Sequence, residues 1–219
     1  NMESAREKLA PLFYSKTFYY PYSNNIIERN IALIEYALGM KVSEKEIYEK
    51  DPFLVVKGSK VNAKFSSNVK NVLLIPGASH ISKCYPVDKF IELTKILDAN
   101  FYISWGNESE RKMAMKIKIG SNNTHVLKKM TLDQLVSFIS QVDLVIGADT
   151  GPTHIAWGLN IPSITLFGPT PGYRNTYSTS INKFIESESI VDPKRINRND
   201  FSIKNISPVK IFDLATKLL

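Results

Sequence analysis

The chain is poor in the residues that build metal and redox centres. It has 219 residues with one cysteine, Cys84, so no internal disulfide can form, and a reducing, cytosolic compartment is the default expectation. Three histidines, His80, His125 and His154, are too widely spaced to make a zinc set. No Asp-x-Asp pair is present to hold a divalent ion on a diphosphate. The ten glycines form neither GxGxxG nor a Walker sequence, which excludes the usual dinucleotide and P-loop readings. No apolar run reaches the roughly 18 residues needed to span a bilayer, and the polar start at Asn1, Met2, Glu3 and Ser4 is not that of a signal peptide.

The net charge of +7 invites a nucleic-acid reading. Lys57, Lys60, Lys64 and Lys70 lie in a stretch without acids, but the remaining basic residues are interspersed with them. No arginine-rich tract or aromatic–basic stripe accompanies the charge. A solvated basic face, or attraction to phosphate-bearing substrates at an anionic membrane, explains it without nucleic acid.

What is present is a change of pattern along the chain. Residues 3–14 are rich in helix formers, interrupted by Pro11. Asn24 or Asn25 can cap a second helix with Ile27, Ile31, Ile34 and Leu38 on one face, ended by Gly39. Residues 41–70 read as a linker with one strand candidate at Phe53–Val56. From residue 71, short apolar runs alternate with amphipathic stretches. Strands are expected at 71–75, 101–105, 124–127, 142–146 and 161–167. Helices are expected between them, with Pro86 at a first helical position, Thr131 and Gln134 forming a capping box, and a final helix over 209–219. Such alternation specifies βαβ crossovers and a parallel, doubly wound α/β sheet.

Ligands bind such a sheet at the carboxyl ends of its strands. Three loops there carry unusual residues. The first runs from Gly77 through Ala78, Ser79 and His80 to Lys83, with small residues, hydroxyls and a cation just before a helix. It also reads as a flexible loop with a surface lysine. The second follows Trp105-Gly106, where Glu108 and Glu110 divide evenly between two roles: receiving ribose hydroxyls, or favouring the dipole of the next helix. The third, Asp149-Thr150-Gly151-Pro152-Thr153-His154, joins a strand to a helix. Asp149 or Thr150 can cap that helix, Pro152 fits its first turn, and the amides of Thr150 and Gly151 can meet an anion beside His154. Cys84 reads as a packing residue, since a thiol nucleophile would need His80 as its base.

These motifs in this order, with Ile75-Pro76-Gly77-Ala78-Ser79, Lys83-Cys84-Tyr85-Pro86 and Phe167-Gly168-Pro169-Thr170, resemble the C-terminal half of glycosyltransferase family 9, the ADP-heptose:lipopolysaccharide heptosyltransferases. The early segment, with Phe13-Tyr14 and Ile27-Glu28-Arg29-Asn30, is most like the heptosyltransferase I branch. The resemblance implies a GT-B fold, no cofactor and no metal, and transfer of heptose from ADP-L-glycero-D-manno-heptose to a Kdo–lipid A acceptor by inverting displacement. It implies donor contacts from Ser79, Lys83, Glu110, Met130, Asp149, Thr150, Gly151 and His154. Lys83 and Ser79 would meet diphosphate and sugar, Glu110 the ribose, Met130 the adenine, and Asp149 the heptose hydroxyls. Thr150 and Gly151 would give amides to phosphate, and His154 would complete the cluster. Ala78 stands where the family often has a threonine, so that phosphate contact is either missing or supplied by Ser79.

The family has two Rossmann-like domains, with a catalytic aspartate near the N-terminus of the first. None of these residues can be assigned that role, so the chain is expected to be a fragment that binds donor without transferring sugar. The expected division is residues 1–65 as the end of the acceptor domain and a linker, 66–205 as the donor domain, and 206–219 as a helix packing back toward the first domain. The expected place is cytoplasmic, with peripheral contact at the inner membrane and no nucleic-acid partner. The alternatives are a non-catalytic nucleotide or polyanion-binding module, and a GT-B-like sugar-nucleotide epimerase.

Overall fold

The computed structural model describes residues 9–56, 61, 65 and 67–219. Of the helix expected over 3–14, residues 3–8 lie outside these, and the described part holds one 3₁₀ turn at Ala10–Phe13. Lys57, Lys60 and Lys64 also lie outside them.

Helix α1 (Ile26–Leu38) begins and ends as its sequence dictates. The Asn25 side chain accepts from Ile27 N at 2.9 Å, and Gly39 terminates the helix at φ +66°, a left-handed position that glycine takes without strain. Asn25 also donates to the carbonyls of Tyr173 and Thr176, at 2.9 and 2.7 Å, which ties α1 to the main body. A short helix, α2 (Glu44–Tyr48), forms inside the expected linker because Ser43 and Glu46 make a reciprocal capping box. Phe53–Val56 is not a strand. Phe53 N and Leu54 N both approach the Gly158 carbonyl instead, at 3.1 and 3.5 Å. A side chain at position 158 would meet Leu54 Cδ1 at 2.7 Å, so glycine permits this close approach.

The main body contains β1 (Asn71–Ile75), α3 (Val87–Ile96), β2 (Asn100–Ile103), α4 (Glu108–Gly120) and β3 (Thr124–Val126). There follow α5 (Leu132–Ile139), β4 (Leu144–Ala148), α6 (Gly151–Gly158), β5 (Ser163–Phe167), α7 (Gly172–Asn175), β6 (Asn182–Glu186) and α8 (Pro208–Leu218). All pairings are parallel and the sheet order is β3-β2-β1-β4-β5-β6. Several expectations shift slightly: the strands expected at 101–105 and 161–167 run over 100–103 and 163–167. Pro86 is the N-cap of α3 rather than its first helical residue, because its φ of −59° is paired with an extended ψ of 140°. The strand expected at 142–146 occupies 144–148, since Gln141 N and Val142 N are still bonded to the end of α5. The edge strand β6 was not expected.

Both faces of the sheet are covered, which is why its strands read as unbroken apolar runs. Val72 and Leu74 of β1 point into a core with Phe90 and Leu93 of α3, Ile117 of α4 and Ile211 and Ala215 of α8. Leu73 and Ile75 point the other way, toward Phe138 and Ile139 of α5 and Ala156 of α6. Tyr85 is fully buried beneath α3 and donates to the Ile206 carbonyl at 2.9 Å, which secures the entry to α8.

β1 and β4 are neighbours in the sheet but far apart in the chain. The chain leaves β1 toward β2 on one side and β4 toward β5 on the other, so the loops after β1 and β4 diverge. That opens a crevice at their carboxyl ends, where doubly wound sheets bind ligands.

Candidate functional site at the switch point

The loop after β1 turns through a 3₁₀ segment, Ile81–Lys83, whose cap is His80: Nδ1 accepts from Ser82 N at 3.2 Å. This turn directs Lys83 inward. Its side chain is only 11% exposed, and Nζ lies 2.8 Å from Asp149 Oδ2.

Asp149 follows β4. The approach is tight because Gly147 has no side chain: a Cβ there would lie 2.8 Å from Ile75 Cβ and 2.7 Å from Thr153 Oγ1. Thr153 Oγ1 donates to the Ala148 carbonyl at 2.9 Å and fixes the start of α6. Asp149 does not cap that helix, as the sequence allowed, and the Thr150 side chain makes no cap bond either. The Asp149 carboxylate instead gathers donors from across the site. His154 Nε2 lies 3.1 Å from Oδ1, while Lys83 Nζ, Thr170 Oγ1 at 2.9 Å and Asn175 Nδ2 at 3.4 Å converge on Oδ2. Burial alone would raise its pKa, but the His154 hydrogen bond and the Lys83 charge outweigh burial and hold the carboxyl well below the usual carboxylate range. Asp149 is therefore a fixed, ionised acceptor near neutral pH, suited to receiving hydroxyls and unsuited to giving up a proton. The Lys83 ammonium uses one of its three donors on Asp149, which leaves capacity for an added anion.

Beside this cluster lies a cleft of about 340 Å³ whose walls include Gly77, Trp105, Glu110, Met130, Leu135 and Thr150. Trp105 is oriented by its indole N–H, which donates to the Leu127 carbonyl at 2.7 Å. The cleft separates the two carboxylates that the sequence left equivalent. Glu108 is exposed and pairs with Arg111 at 3.0 Å. Glu110 faces the cleft, with Oε2 accepting from Gly106 N at 2.6 Å and Oε1 from Asn107 Nδ2 at 2.9 Å. Its own amide donates to the Asn107 side chain, so the residue also helps cap α4. A methyl on Gly77 would overlap the Glu110 carboxyl, so this glycine makes room for it.

The structure thus brings Glu110, Met130 and Thr150 to one cleft, and Lys83, Asp149 and His154 to one cluster at its end. Gly151 is exposed at the start of α6 with open space around its α-carbon. Ser79 is exposed in the first loop and makes no side-chain hydrogen bond to the cluster. Thr170 and Asn175, which approach Asp149 from the segment after β5, were not expected. The signal for Thr170 was a hydroxyl at a strand's carboxyl end; Asn175 had none. Cys84 is partly buried, and burial pushes its thiol pKa up, as befits a packing residue. Among the described residues no group of three or more His, Cys, Asp and Glu side chains could hold a metal, and no helix is long and apolar enough to cross a membrane.

Comparison with known proteins agrees with this fold. The family described as glycosyltransferase family 9 (heptosyltransferase) matches residues 1–198. Lipopolysaccharide heptosyltransferase 1 of Campylobacter coli is 33% identical over 230 residues, covering 98% of this chain and 67% of the relative. The protein of the same name from Escherichia coli K12 is 27% identical over 179 residues, covering 80% of this chain and 54% of the relative. The solved structure of E. coli heptosyltransferase WaaC with ADP superimposes with a TM-score of 0.73 at 18% identity, covering 100% of this chain and 64% of that one. The chain therefore spans about half to two thirds of the length of these relatives. The sheet order, the switch-point cluster and the match along nine-tenths of its length together establish that the chain belongs to glycosyltransferase family 9, the heptosyltransferases.

Proposed function

We propose that this chain carries the donor-binding part of a lipopolysaccharide heptosyltransferase, transferring heptose from ADP-L-glycero-D-manno-heptose to a Kdo-bearing lipid A acceptor. The observation that carries the reading is a cleft lined by Glu110 and Thr150, with the buried, ionised Asp149 next to Thr150 in the chain. A nucleotide sugar has the matching order: base, ribose diol, diphosphate, sugar hydroxyls. The relative WaaC has been solved with ADP and with ADP-2-deoxy-2-fluoro heptose, which supports the same donor here.

In this reading adenine lies against Met130 and Trp105, and Glu110 accepts the ribose hydroxyls. Thr150 and Gly151 donate amides to the diphosphate at the start of α6, where the helix dipole favours negative charge. Lys83 pairs with the same phosphates, with Ser79 reaching them from its exposed position, and His154 adds a donor. Asp149 holds hydroxyls of the heptose. Residues 66–205 form the donor domain, residues 1–65 lead into it from the acceptor domain, and residues 206–219 return toward the latter. An acceptor hydroxyl oxygen attacks the anomeric carbon as the bond to the β-phosphate oxygen breaks. ADP leaves with the electron pair, the configuration inverts, and the hydroxyl proton passes to a base outside these residues. Lys83 and the α6 amides supply the countercharge for the departing diphosphate, so the step needs no divalent ion.

Calorimetric titration with ADP, with and without magnesium, tests the reading. Wild type should bind equally well in both, and Lys83→Ala should weaken binding about ten-fold or more, as expected for a charge-assisted phosphate contact. A folded chain that fails to bind ADP, or that binds only with magnesium, contradicts it.

A further inference from the structure

A second concavity of about 400 Å³ lies beyond Asp149, between α7 and the segment 192–198. Its lining carries four cations, Arg174, Lys194, Arg195 and Arg198, against one carboxylate, Asp192. Asp192 is turned toward its own backbone, where Oδ1 accepts from Lys194 N at 2.8 Å. The next acid along, Asp200, is likewise satisfied locally, by the Ser189 hydroxyl and the Ser202 amide. Arg174 is held in place by a hydrogen bond from Nε to the Tyr22 carbonyl at 2.8 Å, with its guanidinium 4.2 Å from the Tyr22 ring centre. Among the described residues none of the four cations is paired with a carboxylate. Four cations crowded into a concavity with a single carboxylate repel one another, and an anion relieves that repulsion.

The position of the groove indicates which anion. Thr170 and Asn175 line it, and both donate to Asp149 Oδ2. Asn175 Oδ1 in turn accepts from Arg174 Nη1 at 2.9 Å. Thr150, next to Asp149 in the chain, lines the nucleotide cleft on the other side. The order along the molecule is therefore nucleotide cleft, sugar-holding carboxylate, cationic groove. Resting on the donor reading above, we propose that the cationic groove binds the acid group, carboxylate or phosphate, of the sugar acceptor, and so brings the acceptor beside the donor sugar held at Asp149. The volume falls within the usual range for small-ligand sites, about 300–1,000 Å³. Planar guanidinium groups suit bidentate recognition of carboxylate and phosphate.

The test is a chemical-shift titration of the ADP-loaded chain with glucuronate, inorganic phosphate and glucose at constant ionic strength, on wild type and on Arg195→Ala/Arg198→Ala. Both arginines are exposed, so the double variant should fold. Glucuronate or phosphate should bind and perturb Arg174 and Asn175, whereas uncharged glucose should not. The double variant should weaken the anion about ten-fold or more while its Kd for ADP stays within about two-fold. Equal binding of glucuronate and glucose, or anion binding unchanged in the variant, overturns the proposal. A parallel ten-fold loss of ADP affinity overturns it too, because the groove would then belong to the donor's diphosphate. If wild type does not bind ADP, the donor reading fails; the same titration on the unloaded chain then shows separately whether the groove selects the anion.

Discussion

Separating Lys83 from Asp149 should reveal a pair that behaves as buried, even though it sits at the mouth of a binding site. The two side chains are each 11% exposed and their charged atoms are 2.8 Å apart. Removing one partner of a buried pair costs about 3–5 kcal/mol, because a charge is left without compensation. Here Asp149 keeps His154 and Thr170, and both side chains retain a little solvent contact, so Lys83→Met should cost about 2–3 kcal/mol. Asp149→Asn strands the ammonium and should cost a similar amount. Lys83→Met/Asp149→Asn leaves neither charge behind and should lose no more than either single variant, a coupling of at least about 2 kcal/mol. Urea unfolding gives the values, with unchanged slopes required for the comparison. A coupling below about 0.5 kcal/mol would refute the reasoning, since that is the behaviour of an exposed pair. The pH dependence supplies a second check. The folded pKa of Asp149 lies below its unfolded value of about 3.9, so as pH falls the unfolded state takes up the proton first. The carboxylate's contribution is whole above about pH 5 and is lost as pH falls through about 4 toward the folded value, so wild type should lose its advantage over Asp149→Asn in acid.

Gly77→Ala should displace Glu110 from the cleft and weaken ADP by about ten-fold, the loss of one charge-assisted contact, while shifting urea stability by less than about 1 kcal/mol. Unchanged ADP affinity would remove Glu110 from the nucleotide site. Tyr85→Phe deletes the bond to the Ile206 carbonyl, but Lys89 Nζ still reaches that oxygen at 3.0 Å. Its cost should stay near the low end for a hydrogen bond, about 0.5–1 kcal/mol by thermal or urea unfolding, and a loss above about 2 kcal/mol would mean that Lys89 does not compensate.

The sheet was legible because β1, β2, β4 and β5 are covered on both faces and so appear as apolar runs of strand length. Strand β6 was not, since Asn182-Lys183-Phe184-Ile185-Glu186 sits at an edge, mostly half-buried, and its two apolar residues are adjacent rather than part of a longer apolar run. Helix α2 was hidden by its length: a capping box over five residues has no room for an apolar period. In the site, Lys83, Asp149 and His154 were visible because unusual residue types fall at strand ends. Their arrangement was not. Spacing alone left the cap of α6 open between Asp149 and Thr150; Thr150 takes the N-cap position, and the fold spends the Asp149 carboxylate on Lys83, Thr170 and His154. Asn175 and the arginines beyond it lie in irregular chain and gain meaning only when β5 and β6 bring that segment beside β4.

The most direct measurement is a crystal structure of this chain with ADP-heptose. The account predicts adenine between Met130 and Trp105, ribose hydroxyls on Glu110, phosphate at Lys83 and the Thr150 and Gly151 amides, and the heptose against Asp149. A nucleotide sugar bound in the reverse sense, with its base at Asp149, or bound away from the crevice between β1 and β4, would contradict it.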